Sequence, residues 1–430
     1  MTARHVVVVD PYSSGAKLPG LLRRAGLVPV GVTSYPVPPP VYTTAFRPQD
    51  FEVLLEADSD DPAALVAVLA ALRPVAVLAG AESGVLLADR LAAALTPGLA
   101  NDPGLAPARR HKGLMAEALA AAGVPAIRSA FVRGADEAWA WVRECALEGR
   151  DLVVKPALSG GTEDVTLVPA ADEERLRTVV GHLLRRVNVL GLPNDEVVVQ
   201  ERVTGTEYVV DTFSHGGRHT VTNICRYGKT ANAGSFAVYE SVEFLPYDLP
   251  GHAELVAYTE RALDALGVRF GLAHSEVMLT PDGPRLIETG VRPPGAGLPA
   301  LAELATGESG LDRLTRWLAD GADPRPDYRL LWPVAAVYAI APTTGTIGNL
   351  DAYRRALDLP SCRHVHLGVG EGDFVPATTD LLSTLRLGWA VLAHHDPHQL
   401  HRDRLAFREL EREVHFTDTT TGPILEVTPR

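Results

Sequence analysis

Two glutamates, Glu276 and Glu288, sit on runs that read as the arms of one β-hairpin, with TPDGP between them supplying the turn residues. Strand alternation puts His274, Glu276 and Met278 on one face. In a regular hairpin centred on Asp282, each residue faces the one equally distant along the other arm, so Glu276 faces Glu288. Like charges across a ladder repel, and two carboxylates sharing a site do not both ionise cheaply without positive charge between them. A Mg²⁺ ion, with Mn²⁺ as a substitute, takes hard oxygen ligands from one or two carboxylates plus phosphates and water, and would relieve the repulsion. Solvation, or pairing with Arg285 or Arg292, explains a single carboxylate better than an opposed pair. Arg292 adds a planar donor fork suited to a carboxylate or phosphoryl group, or to a structural ion pair.

A second pattern is DLVVKPALSGGTED, in which Lys155 ends a β-branched run and Ser159, Gly160, Gly161 and Thr162 follow in a turn. Such a turn lets backbone N–H groups close on phosphate oxygens. An ordinary hairpin with a solvated lysine has the same pattern, and taken singly it is the commoner case. The Walker pattern, GK[ST] opening a helix, is absent. In VVVQERVTGTEYVV, the strand ending at Gln200 and Glu201 and the strand opened by Glu207 could present backbone polar groups to a purine edge, with Glu207 reaching ribose hydroxyls. A plain interdomain crossing reads the same way.

These residues need rigid elements. HVVVVD, KLPGLLRRAGL and VPVGVTS alternate strand, helix and strand, as in an open α/β sheet, and PVAVLAGAES with LLADRLAAAL continues it. HKGLMAEALAAAGVP carries Leu114, Met115, Ala118, Leu119 and Ala122 at helical spacing, with Gly123 as its stop. EYVVDTFS, RHTVTNICRYGK and the hairpin read as a largely antiparallel sheet, and the chain from Leu330 reads as a smaller α+β unit. The expected segments are 1–105, 106–203, 204–325 and 326–430. The 430 residues, 46% hydrophobic, are enough for several cored domains, while the net charge of −13 without a basic block argues against a nucleic-acid partner. Three cysteines without metal spacing, no signal peptide and no membrane-length apolar run make a soluble cytoplasmic protein the expectation.

Taken in order, GAESG at Gly80, HKGLMAEALAAAGVP with Lys112, LVVKPALSGGTEDV, VVVQERVTGTEYVVD and HSEVMLTPDGPRLIETGVRPPG resemble the ATP-grasp carboxylate–amine ligases, and within them the dipeptide-forming L-amino-acid ligases of the bacilysin-synthetase type. The resemblance runs through nearly the whole chain. It implies an ATP-grasp fold with an N-terminal Rossmann-like domain, a lid and a C-terminal α+β unit, working on ATP and magnesium. Lys112 and Lys155 would then contact phosphates, the backbone of Glu201 and Val203 the adenine, Glu207 the ribose, and Glu276 and Glu288 the metal. Arg292 would steady an acyl phosphate. Where many of these enzymes carry Asn two residues after the second metal Glu, this chain has Gly290, which bears on how many metals are held. Substrate-pocket candidates are Glu82, Glu240, Arg292 and Gly295.

The reading that follows is an ATP-dependent amide-forming ligase for small amino-acid-like molecules, of the kind used in dipeptide antibiotic biosynthesis, with a homodimer allowed. A purine-pathway ligase and a nucleotide-binding protein without turnover are the competing readings. An NAD-dependent oxidoreductase is set aside because VVVVDPYSSGAKLPG lacks GxGxxG.

Overall fold

In the computed structural model, which describes residues 3–57 and 62–417, the run HVVVV is strand β1 (His5–Val9) of a parallel sheet. It pairs with β2 (Val28–Thr33) and β4 (Ala76–Ala79), and β3 (Val53–Glu56) completes the order β3-β2-β1-β4. Four consecutive valines, Val6 to Val9, suit a strand buried on both faces. Val7 and Val9 pack with Leu65, Leu69 and Leu91, and Val6 and Val8 with Leu18, Leu22 and Leu314. The strand order reverses beside β1, so its C-terminal end and that of β4 open on the crevice where such sheets bind ligands.

The next sheet is antiparallel: β5 (Ser129–Val132), β6 (Leu152–Pro156), β7 (Thr166–Val168) and β8 (Val197–Glu201), in the order β5-β8-β6-β7. Helices Ala135–Glu144 and Glu173–Leu183 lay Ala138, Val142, Leu176 and Val180 against Leu152, Val154, Val197 and Val199. Lys155 thus stands at the end of a strand whose other side chains are anchored in a core.

The third assembly contains β9 (Thr206–His215), β10 (Arg218–Asn232), β11 (Ser235–Leu245), β12 (Gly271–Thr280) and β13 (Gly283–Gly290). Helix His252–Ala265 covers one face, packing Leu255, Tyr258 and Ala262 on Val210, Ala273, Val277 and Leu286. Because strand side chains alternate, the complementary set, Glu207, Asp211, His274 and Glu276, is turned to the opposite face.

The chain divides into two compact units, Met1–Arg226 with Phe244–Leu331, and Tyr227–Glu243 with Trp332–Arg430. The first holds the two four-stranded sheets and the order β13-β12-β9-β10. In the second, β11 pairs with β14 (Val334–Tyr338), which pairs in turn with Gly388–Ala393 and that strand with Cys362–Leu367, over a core that includes Val337, Tyr353, Leu392 and Phe407. Residues 227–243 fall inside the expected 204–325 segment yet cluster with the C-terminal one, and 418–430 lie outside the described residues.

The hairpin departs from the regular geometry expected of it. Thr280 pairs with Gly283, so the turn is centred between Pro281 and Asp282, and the register runs Val277↔Leu286. Carried on without interruption, it would set Ile287 opposite Glu276 and turn Glu288 to the other face. A bulge between Glu276 and Val277 absorbs Ile287 and restores Glu276↔Glu288, Ser275↔Thr289 and His274↔Gly290. The two carboxylates face each other because of this irregularity.

Candidate active site

Glu276 and Glu288 meet across the hairpin, and each already has a cation beside it. Lys112 Nζ stands 3.2 Å from Glu288, and His274 Nε2 stands 3.7 Å from Glu276. Lys112 is the first residue of helix Lys112–Ala121, whose N-terminus His111 caps by accepting from Leu114 N at 3.2 Å. Its ammonium also donates to the Ser159 carbonyl at 2.8 Å, tying the glycine loop to the metal-type carboxylate. Among the described residues no group of three or more His, Cys, Asp and Glu side chains is set to hold a metal ion. A divalent cation would therefore rest on Glu276 and Glu288, still 17% and 22% exposed, with the remaining oxygens from ligand and water. Two hard carboxylates on one face suit that ion.

Lys155 reaches the hairpin from β6 and donates to the carbonyl of the bulge residue Ile287 at 3.4 Å. Burial, then the Lys112 charge, lowers its pKa to about 8 against the pull of Glu288, Glu276 and Glu207. Phosphate oxygens would add countercharge to this lysine. The loop after it carries left-handed backbone at Gly161 (φ 71°), Thr162 (φ 59°) and Asp164 (φ 56°). It is braced from behind, since Glu163 accepts from Val189 N at 2.9 Å and Arg186 pairs with Asp164 at 3.1 Å.

A second group of charges lies around Glu82, at the C-terminal end of β4. Its Oε2 accepts from Arg292 Nε at 2.8 Å, and its Oε1 is 3.4 Å from Arg110 Nη1. Burial pushes the Glu82 carboxyl up, and Arg292, Arg110 and Lys112 together hold it below its ordinary value. One carboxylate thus orients two guanidiniums and leaves the group net positive. Arg110 also donates to the Leu158 carbonyl at 3.1 Å, reaching the start of the glycine loop. Gly290 is explained by the same group: a Cβ there would sit 2.9 Å from Glu82 Oε2 and 3.0 Å from Arg292 Cζ. The space that a side chain at position 290 would need is taken by an ion pair.

Of the other expected residues, Glu207 lies on the Glu276 face of the sheet, opposite Met278. Gln200 and Glu201 end β8; Glu201 N–H is donated to the Arg128 carbonyl at 2.9 Å, so a further backbone contact there would use its carbonyl. The Glu201 side chain is held outside by Arg128 and Arg150. Val203 follows in the link to β9, and a Cβ on Gly295 would lie 3.6 Å from Ser13 Oγ. Glu240 belongs to the second unit, where its carboxylate is 3.8 Å from Arg408 Nε.

Sequence reasoning missed Arg110 and Asp211, which joins Asn223 to His274 in one row. Asp211 accepts from Asn223 Nδ2 at 2.8 Å and pairs with His274 Nδ1 at 2.6 Å. Burial alone would keep the imidazole neutral, but Asp211 and then Glu276 raise its pKa to about 9. The alternation of H-S-E signalled a shared face, whereas the partner strand could not be read from the chain.

Two outcomes follow. Gly290→Asn should destabilise the protein by about 1–3 kcal/mol through overpacking, and the loss should shrink in a Glu82→Ala background; denaturant titration of the four proteins checks this, and an unchanged loss would point to another clash. The stabilisation from protonated His274 is full below its unfolded pKa of 6.5 and lost as pH rises through about 9. The difference in melting temperature between wild type and His274→Gln should therefore narrow from pH 6 to 9.5, and a constant difference would exclude the assigned charge.

No protein-family model matches the chain. It is 30% identical over 396 residues to Dapdiamide A synthase from Enterobacter agglomerans, covering 88% of this chain and 89% of that one. Its fold matches an L-amino acid ligase from Bacillus licheniformis with TM-score 0.70 and 18% identity, covering 97% of this chain and 99% of the other. An ADP complex of N5-carboxyaminoimidazole ribonucleotide synthetase matches with TM-score 0.65 and 14% identity, over 96% and 98%. The likeness to the two solved structures, both of low identity, is one of fold, while the first relative is close over nearly its full length. The chain belongs to the ATP-grasp carboxylate–amine ligase family.

Proposed function

We propose that the protein activates the carboxylate of one amino-acid-like molecule with ATP and joins it to the amine of another, releasing ADP and phosphate. The observation that carries this reading is the joining of two clusters through Arg110, Lys112 and the glycine loop: Lys112, Lys155, Glu276 and Glu288 on one side, and Glu82 holding Arg292 on the other. Such a set can take a triphosphate and an acid together.

In the proposed reaction a carboxylate oxygen of the acid attacks the γ-phosphorus and the bond to the ADP oxygen breaks, leaving an acyl phosphate. The amine then attacks the acyl carbon, phosphate leaves, and the amine gives up a proton. Glu276 and Glu288 would hold a Mg²⁺ ion, which would supply charge neutralisation on the phosphates. Lys112 and Lys155 add fixed positive charge, which costs no reorganisation because both ammoniums are already held by carbonyls. Arg292 is oriented by Glu82 toward the acid, and the braced loop after Lys155 keeps water from the acyl phosphate. Gln200, Glu201, Val203 and Glu207 hold the nucleoside, and Gly295 lines the acid's side of the pocket.

The relative's name, a synthase of dapdiamide A, supports amide formation between small molecules in antibiotic-type peptide synthesis. The purine-type neighbour is alike in fold at 14% identity, which does not extend to its substrate. No helix among the described residues is long and apolar enough to cross a membrane, in keeping with a proposed cytoplasmic enzyme that works on diffusible substrates as a monomer or homodimer.

The test is a matrix of amino acids, singly and in pairs, scored for ATP-dependent phosphate release, with hydroxylamine added to trap the activated acid as a hydroxamate. The spent nucleotide should be ADP, and mass spectrometry should find the sum of two substrates minus one water. AMP with pyrophosphate would sink the mechanism, and ADP formation driven by a purine intermediate would favour the purine-pathway reading. Arg292→Ala should lower kcat by about 100-fold or more with nucleotide affinity largely kept, whereas Lys155→Ala should weaken nucleotide binding. Equal loss of ATP binding in both variants would refute the division of roles.

A further inference from the structure

The C-terminal ends of β1 and β4 hold a cluster of buried polar atoms that the reaction above does not use. Asp10 is fully buried; its Oδ1 accepts from Ser34 N at 2.7 Å, while its Oδ2 has no hydrogen-bond partner. Tyr12 Oη is likewise buried without a partner, and the Ser34 and Ser83 hydroxyls lie beside the carboxylate. Among the described residues no basic side chain forms an ion pair with Asp10. Burial raises its pKa, and the nearby Ser83 and Ser34 only partly offset this. An uncompensated buried carboxylate is costly enough to need an explanation in a cation, a proton or a water.

The backbone holds this arrangement in place. Asp10 (φ 48°) and Ser13 (φ 50°) adopt the left-handed conformation without being glycine. The loops press together, since a Cβ on Gly80 would lie 2.5 Å from the Asp10 carbonyl oxygen, and one on Gly84 would lie 3.0 Å from Asp10 Cβ. Aromatic rings stand alongside: Tyr42 stacks on Tyr12 at 5.6 Å and Phe46 meets it edge-on at 5.2 Å. The Tyr42 hydroxyl feels the charges of Arg292, Glu82, Arg110 and Asp10, so the cluster borders the proposed acid-activating arginine.

A carboxylate oxygen, hydroxyl oxygens and aromatic rings together suit a compact cation with N–H donors. We propose that Asp10, Tyr12 and Ser83 form the subsite for the primary ammonium group of the amino-acid-like substrate. The identity of that ligand rests on the ligase reading; the affinity of the pocket for an ammonium does not. With Arg292 and Arg110 close by, the pocket recognises an amino acid by both of its charges, and acids without an amino group lose one anchor.

The probe is methylammonium chloride, compared with sodium and potassium chloride at equal ionic strength, and the readout is the melting temperature of wild type, Asp10→Asn and Ser83→Ala. Wild type should gain about 1–2 °C over sodium chloride, Ser83→Ala less than half of that, and Asp10→Asn nothing. Asp10→Asn in sodium chloride should melt at or above wild type, because its unpaired charge is gone; if it does not fold, Tyr12→Phe takes its place in the comparison. No methylammonium shift in wild type, an equal shift in the variants, or an equal shift from potassium would overturn the subsite. The hydroxamate assay separates the two readings: hydroxamate without a methylammonium shift removes the subsite and keeps the ligase, and a shift without any hydroxamate does the reverse.

Discussion

Two carboxylates on one face of a hairpin require positive charge, and the surrounding structure is arranged to bring it. Lys112 arrives from a helix N-terminus, Lys155 from the end of a strand in another sheet, and His274 from the same strand as Glu276. The cost of that concentration shows in Lys155, whose burial lowers its affinity for a proton even with three carboxylates nearby. Such a site concentrates both signs of charge in one place, which suits the proposed anionic ligand with its divalent cation.

The same economy governs the Glu82 group. One buried carboxylate holds Arg292 and Arg110 in fixed directions, so neither guanidinium has to be ordered when an acid arrives. Gly290 makes the room. A glycine where the resemblance leads one to expect Asn has a steric cause in the protein itself.

Much of this was legible in the chain. The valine run of β1, the apolar period of helix Lys112–Ala121 with Gly123 as its stop, and the strand–loop–strand around Lys155 follow from side-chain periodicity and backbone preference, which act over a few residues. The ATP-grasp fold and its amide-forming chemistry followed from the order of the motifs. Glu276 and Glu288 were found for a reason that was half right. Their opposition was correct, but the hairpin is one residue tighter than assumed and Ile287 is bulged out to compensate.

What the sequence by itself determined, then, is the set of elements and the types of chemistry they carry, because strand alternation, helical period and turn residues are local. Only the tertiary structure decided which charges meet. Separations of 210 positions from Glu82 to Arg292 and 63 from Asp211 to His274 carry no local signal of contact. Arg110 looked like one more basic residue beside Lys112 until β4 placed Glu82 next to it. Electrostatic pairing depends on distance in space, and packing sets that distance across separate sheets.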